Sequence, residues 1–119
     1  MTLNHLDLAV PDVAIARDFF VAHLGFTCVE TRGQNGLAIL KDSLGLLLVL
    51  SRLQKEGPQT YPEGLHIGFH LPSDKDVVLL HERLAAAGVQ VAAPRQLRGA
   101  LGFYLTVPGG ILVEIACRA

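Results

Sequence analysis

Apolar and polar residues alternate from Leu3 to Val10 (LNHLDLAV), a period of two that predicts a half-buried strand. Pro11 and Asp12 follow. Asp12 suits the N-cap of a helix whose apolar stripe is Ile15, Ala16, Phe19, Phe20 and Leu24, with Gly25 as the stop. Strands are predicted at Phe26 to Thr31, Leu37 to Lys41 and Leu46 to Ser51. Turn residues separate them at Gly33-Gln34-Asn35-Gly36 and at Asp42 to Gly45. Arg52 to Gly64 breaks the pattern, with two prolines, two glycines and no period, and reads as a linker or mobile loop. The alternation resumes at Leu65 to Leu71 (LHIGFHL). Pro72 and Ser73 open a second helix with a stripe of Val77, Leu80, Leu84 and Ala87, closed by Gly88. Strands are then predicted at Val89 to Ala92, Leu101 to Val107 and Ile111 to Ala116, with a weakly marked one near Gln96 to Arg98.

The second half repeats the first. His5-Leu6-Asp7-Leu8-Ala9-Val10-Pro11 lies over His66-Ile67-Gly68-Phe69-His70-Leu71-Pro72 at a constant offset of 61 residues. Gly45 to Leu50 lies over Gly110 to Ile115 at an offset of 65, which implies an insertion in the second half. The pattern is a βαβββ unit used twice. The expected architecture is α+β: residues 1–51 form the first unit, 52–64 the linker and 65–119 the second unit, all within one domain of residues 1–119. One small twisted sheet cannot close a core alone. Two units about a pseudo-two-fold axis should curl into a cup with the helices outside, and matched positions should then face each other across it.

Composition adds to this picture. The chain has 119 residues, 50% of them hydrophobic and 18% charged, with a net charge of −1. Its mean hydropathy is +0.40. The basic residues are dispersed, so no nucleic-acid footprint and no polybasic membrane patch is expected. The longest apolar run, Leu46 to Leu50, is too short to span a bilayer. This apolar content therefore suggests surface shared with a second subunit. Met1 leads into the first strand with no secretory signal pattern. Cys28 and Cys117 lack metal or redox spacing and read as reduced thiols, so the expected location is cytoplasmic.

The repeat makes His5 and His66 candidates to meet near the axis, with Val49 and Glu114 as the next matched pair. Two imidazoles and a carboxylate suit Fe(II), Mn(II), Ni(II), Co(II) or Zn(II), and three protein ligands leave positions open for substrate. A Glu inside the apolar strand ILVEIA is costly unless it is paired. A histidine in a strand is also often a structural or surface residue, so both readings stand at this point.

The segments LNHLDLAVPDVAIARDFFVAHLGF, LHIGFHLPSDKDVVLLHERLAAAGV and FYLTVPGGILVEI resemble the vicinal oxygen chelate superfamily. That superfamily takes in glyoxalase I, bleomycin-resistance proteins, fosfomycin-resistance thiol transferases and extradiol dioxygenases. The resemblance implies His5, His66 and Glu114 as metal ligands. Glyoxalase I has a fourth ligand, a Glu, where this chain has Val49, which argues against true glyoxalase I chemistry. The three-ligand pattern resembles the dioxygenases and the fosfomycin enzymes. Both carry a tyrosine ten residues before the terminal Glu, and Phe103-Tyr104 stands there. If the hairpin closes through Pro108 to Gly110, Tyr104 pairs with Glu114, whereas a one-residue slip turns it away. The fosfomycin enzymes carry a threonine where Asp7 stands, and basic residues after the terminal Glu, where only Arg118 is present. Extradiol enzymes need an acid–base histidine, for which His70 is the internal candidate; the alternative is a residue at the rim of the cup. His23 and His81 read as solvated helix residues.

The expected function is a metal-dependent enzyme, dioxygenase-like or thiol-transferase-like. A divalent ion (Fe2+, Mn2+, Ni2+ or Zn2+) would chelate vicinal oxygens of a small apolar substrate between walls of Leu47, Val49 and Leu112, with Arg52 to Gly64 as a lid. Tyr104 and His70 are the catalytic candidates. The resemblance also implies a homodimer whose sites take His5 from one chain and His66 and Glu114 from the other. The alternative is a metal-free protein that sequesters a ligand, as bleomycin-resistance proteins do.

Overall fold

The structure, a computed structural model, describes residues 1–52 and 60–118. Residues 53–59 of the expected linker and lid lie outside the described residues. The chain divides into two compact units, Met1–Thr60 with Pro108–Gly110, and Tyr61–Val107 with Ile111–Ala119. Among the described residues no helix is long and apolar enough to cross a membrane.

The first unit runs β1 (His5–Ala9), α1 (Val13–His23), β2 (Thr27–Arg32), β3 (Leu37–Lys41) and β4 (Leu47–Ser51). Its sheet has the order β1-β4-β3-β2, with β1 parallel to β4 and the other neighbours antiparallel. Helix α1 lies over β3 and β4. It starts where expected, with the Asp12 carboxylate accepting from the Ile15 N–H at 3.1 Å. Asn35, held at φ +57 in the β2–β3 turn, braces this cap. Its amide donates to Asp12 at 3.1 Å and its carbonyl accepts from the Ala14 N–H at 2.6 Å. The Ile15 N–H, followed by the Asn35 amide, holds the Asp12 carboxyl below the usual carboxylate range.

The helix buries Val13, Ala16 and Phe20 against Ala38, Leu40, Leu48 and Leu50. Phe20 also meets Phe26 edge-on with centroids 5.5 Å apart. Ile15, expected on the stripe, is 57% exposed. The buried line follows positions 13, 16 and 20, and Ile15 falls off that arc.

The second unit runs β5 (His66–Leu71), α2 (Asp74–Ala86), β6 (Arg95–Leu97), β7 (Ala100–Val107) and β8 (Ile111–Cys117). Its sheet order, β5-β8-β7-β6, reproduces that of the first, again with the first and last strands of the unit parallel. The Ser73 hydroxyl caps α2 by accepting from the Asp76 N–H at 3.2 Å. The helix packs on β7 and β8 through Val77, Leu80 and Leu84, while Ala87 is exposed.

No strand forms at Val89 to Ala92. Pro94 offers no N–H to the ladder, and regular pairing begins at Arg95. The three-residue β6 turns into β7 through Arg98 and Gly99, both at positive φ (52° and 84°), with Leu97 paired to Ala100. This is the two-residue hairpin geometry that matches strand twist. An arginine is an uncommon occupant of its first position, which is why the turn was hard to read from the sequence.

The helix histidines are packed as well as partly solvated. His81 stands edge-on to Phe103 with centroids 5.4 Å apart, and His23 lies 4.9 Å from the Phe19 ring. Both are half-buried.

Candidate functional site

Alternation along each strand sends one set of side chains to the helix and the other to the open face of the sheet. In β8, Val113 and Ile115 are buried under α2, so Leu112, Glu114 and Ala116 belong to the open face. The parallel register sets His66 beside Leu112, Gly68 beside Glu114 and His70 beside Ala116. The antiparallel register sets Tyr104 opposite Glu114 and Thr106 opposite Leu112. The hairpin therefore closes through Pro108 to Gly110, with Val107 paired to Ile111, and Tyr104 shares the face of Glu114.

On this face the His66 Nε2 stands 3.3 Å from the Glu114 Oε2. The Glu114 side chain is only 12% exposed and that of His66 29%. Among the described residues no Lys or Arg forms an ion pair with Glu114. The His66 Nδ1 lies 2.9 Å from the carbonyl oxygen of Gly64. A carbonyl only accepts, so Nδ1 carries a hydrogen, and Nε2 is the ring atom that faces the carboxylate. That contact is made either by a hydrogen on Nε2 or by a cation held between the two atoms. The Tyr104 ring meets the His66 ring edge-on, centroids 5.7 Å apart.

The first unit places the remaining residues. His5 is exposed on β1, and its Nδ1 lies 3.0 Å from the Asn4 Oδ1, which leaves Nε2 free to accept in the same way. Beside it on the open face are Leu47 and Val49, both half-buried. Asp7 pairs with Val49 in register, and its carboxylate accepts from the hydroxyl of the buried Ser51 at 2.5 Å. Sequence reasoning missed this pair. The polar Ser51 closing an apolar strand was its one visible signal.

Among the described residues no group of three or more His, Cys, Asp and Glu side chains stands together to hold a metal. Of the expected triad, the structure brings together His66 and Glu114. His70 is exposed at the end of β5, about 13 Å along the strand from His66.

A pocket of about 380 Å³ opens on the second unit. Its walls include Tyr104, Thr106 and Leu112 from the sheet and Gln90, Val91 and Ala92 from the segment expected as a strand. The Ala92 N–H reaches the Tyr104 carbonyl at 3.5 Å, so that segment borders the site instead of extending the sheet.

Residues 2–115 match the family model of the glyoxalase/bleomycin resistance protein/dioxygenase superfamily. The chain belongs to that superfamily. A Bacillus cereus protein whose structure is described as that of "a possible Glyoxalase" is 38% identical, over 98% of this chain and 99% of its own, with a TM-score of 0.86. A glyoxalase/bleomycin resistance protein/dioxygenase domain from Frankia sp. EAN1pec is 22% identical, covering 100% and 98% with a TM-score of 0.85. The fosfomycin resistance protein FosX from Listeria monocytogenes is 19% identical, covering 100% and 94% with a TM-score of 0.80. The last two likenesses carry the fold alone. Among curated protein sequences none matches the chain. The superfamily includes lyases, dioxygenases and transferases that act on small molecules and typically depend on a divalent metal.

Proposed function

We infer that this superfamily member is a metal-dependent enzyme acting on a small molecule with two neighbouring oxygens. Its chemistry is dioxygenase-like or thiol-transferase-like, because Val49 stands where glyoxalase I chemistry needs a carboxylate. The observation that carries this reading is the close approach of His66 Nε2 and Glu114 Oε2, 3.3 Å apart on the open face, with no Lys or Arg paired to the carboxylate among the described residues. The hydrogen bond to Gly64 keeps the His66 proton on the far nitrogen, as is usual for a metal-ligating histidine. The same tautomer at His5, set by Asn4, supports it as the third ligand. One imidazole on each unit and a carboxylate suit Fe2+, Mn2+, Ni2+ or Zn2+. Such an ion, when bound, supplies Lewis-acid stabilisation of negative charge developing on a substrate oxygen.

The chain's own residues do the rest. Tyr104, across the ladder from Glu114, donates its hydroxyl to a substrate oxygen or gives it a proton. Leu112 walls the substrate on the second unit, and Leu47 and Val49 wall it on the first. His70 is assigned to the rim, because its distance along β5 removes it from the pair. His5 comes from one chain and His66 with Glu114 from another, in a C2 dimer. The two free cysteines suit a reducing compartment, the cytoplasm.

The test is metal analysis of anaerobically purified protein. About one divalent ion per chain is expected, with loss to background in His66→Ala and Glu114→Ala. Full retention in both variants overturns the reading. A metal-free native protein that still binds ligand in chelator points to the sequestering alternative. Mixing His5→Ala with Glu114→Ala should restore about a quarter of the metal content, because only mixed dimers rebuild a site, and only one of their two.

A further inference from the structure

His66, Leu112, Glu114 and Gly68 are the corners of one square on the open face, with His66 paired to Leu112 and Gly68 to Glu114. The site pair spans one diagonal of it, with 3.3 Å between Nε2 and Oε2. On the other diagonal Leu112 fills its corner with a side chain, and Gly68 leaves its corner bare. Tyr104 stands on the far side of Glu114, across the β7 ladder. The room beside the carboxylate is therefore over Gly68, which is exposed.

A glycine inside a strand costs backbone entropy and gives up a side-chain contact. It marks a bulge, a close approach of other backbone, or a place where a ligand comes near. The pairing of β5 with β8 runs from His66 to Leu71 without a register shift, which removes the bulge. Gly68 does not lie in the left-handed region, and a Cβ built on it would meet no heavy atom outside its chain neighbours closer than 3.9 Å, an ordinary contact. Gly102, the bare position on β7, behaves differently. A Cβ there would fall 2.6 Å from the Ile115 carbonyl oxygen, so the fold itself needs that glycine. The repeat supplies a second observation. Asp7 holds the position of Gly68 in the first unit, and it pairs with Val49 as Gly68 pairs with Glu114. The same backbone thus carries a side chain at this position, and what remains to explain the glycine is a ligand.

We propose that Gly68 determines specificity: the group next to the two chelating oxygens of the substrate lies over Gly68, and the missing Cβ sets how bulky that group can be. A Cβ at this position would stand 4.0 Å from the Glu114 Oε2, in the space that a molecule reaching an ion on that oxygen has to enter. A methyl-sized neighbour would leave room for an alanine. The bare corner suits a ring or a branched carbon beside the vicinal oxygens. The proposal rests on the functional reading for the ion and the oxygens, and on the surroundings of Gly68 for the residue itself.

The test compares the native full chain with Gly68→Ala and Gly68→Val, each loaded with Co2+. The probes are acetohydroxamate and benzohydroxamate, which present the same two neighbouring oxygens and differ in the group beside them. Affinities are read from the visible Co2+ spectrum, metal content from metal analysis, and folding from urea unfolding of the metal-free chains. Metal content should be equal in all three proteins. Benzohydroxamate should weaken severalfold in Gly68→Ala and at least tenfold in Gly68→Val, with a clearly smaller loss for acetohydroxamate. Gly68→Ala should unfold at a higher urea concentration than the native chain. Unchanged affinities, equal losses for the two probes, or no binding of either probe to the metal-loaded native chain overturns the proposal. So does a lower urea midpoint in Gly68→Ala, which would make the glycine a requirement of the fold. Loss of metal in either variant would assign the corner to the ion itself, and a changed oligomeric state would assign it to a second chain; each overturns the proposal. A native chain that binds no metal overturns the functional reading together with it, whereas intact metal content with unchanged affinities removes the assignment of Gly68 alone.

Discussion

On the open face of the first unit, His5, Val49 and Ile39 occupy the positions that His66, Glu114 and Tyr104 occupy in the second. The backbone is the same in both, with the same strand order and the same parallel pairing of first and last strands. The carboxylate differs. In the second unit it sits on the last strand as Glu114, beside the bare Gly68. In the first it sits on the first strand as Asp7, beside Val49 and tied to Ser51. Its surroundings differ too, since Glu114 is buried against a histidine and Asp7 is exposed and held by a hydroxyl. The duplicated scaffold decides where a side chain points. The residue at that point decides whether it is a wall, a ligand or a proton donor.

The largest effect that separates the two units should come from the carboxylates. Glu114→Gln is expected to abolish metal binding, whereas Asp7→Asn should leave the stoichiometry intact, as read by metal analysis after dialysis. Equal losses in both variants would erase the distinction drawn here. The two cores should behave alike. Phe20→Ala and Phe103→Ala each remove a fully buried ring, at a cost of about 3–5 kcal/mol in urea unfolding, a large share of the ~5–15 kcal/mol typical of a domain. A loss confined to one of them would mean that one unit carries most of the stability.

Much of the fold is legible in the sequence. Paired alternation around two helices, with Asp12 and Ser73 as caps and glycines as stops, specifies both units locally. The offset between His5 and His66 marks the repeat. Legibility failed where tertiary context overrides local pattern. Val89 to Ala92 alternates like a strand, yet it forms no regular ladder and the segment becomes a pocket wall. At the site, the repeat singled out His66 and Glu114, and the family resemblance added Tyr104. The Gly64 carbonyl that accepts from the His66 Nδ1 could not be named in this way, since a backbone oxygen leaves no trace in a sequence.

Two smaller effects sharpen the comparison. Ser51→Ala removes the donor to Asp7 and should lower stability by about 1 kcal/mol, with metal content unchanged. The first unit alone carries a carboxylate cap tied to a second turn, and there pH is the probe. The folded Asp12 carboxyl is held low, so its contribution is present at neutral pH and fades as pH falls through the carboxylate range and then through the lowered folded value. Asp12→Ala should therefore lower Tm by a few degrees at pH 7, and the gap to the native chain should narrow steadily in acid. A gap independent of pH would assign the loss to something other than the charged cap.

The β7–β8 turn has a consequence for how this chain tolerates length changes. Tyr104 and Glu114 share a face because three residues, Pro108 to Gly110, close the ladder. Those three residues act as a reading frame for the site. Losing or gaining one of them would leave composition, helices and most pairing intact, yet would turn one partner toward α2. The frame of this hairpin allows no insertion or deletion, and natural or laboratory length variation should leave it untouched.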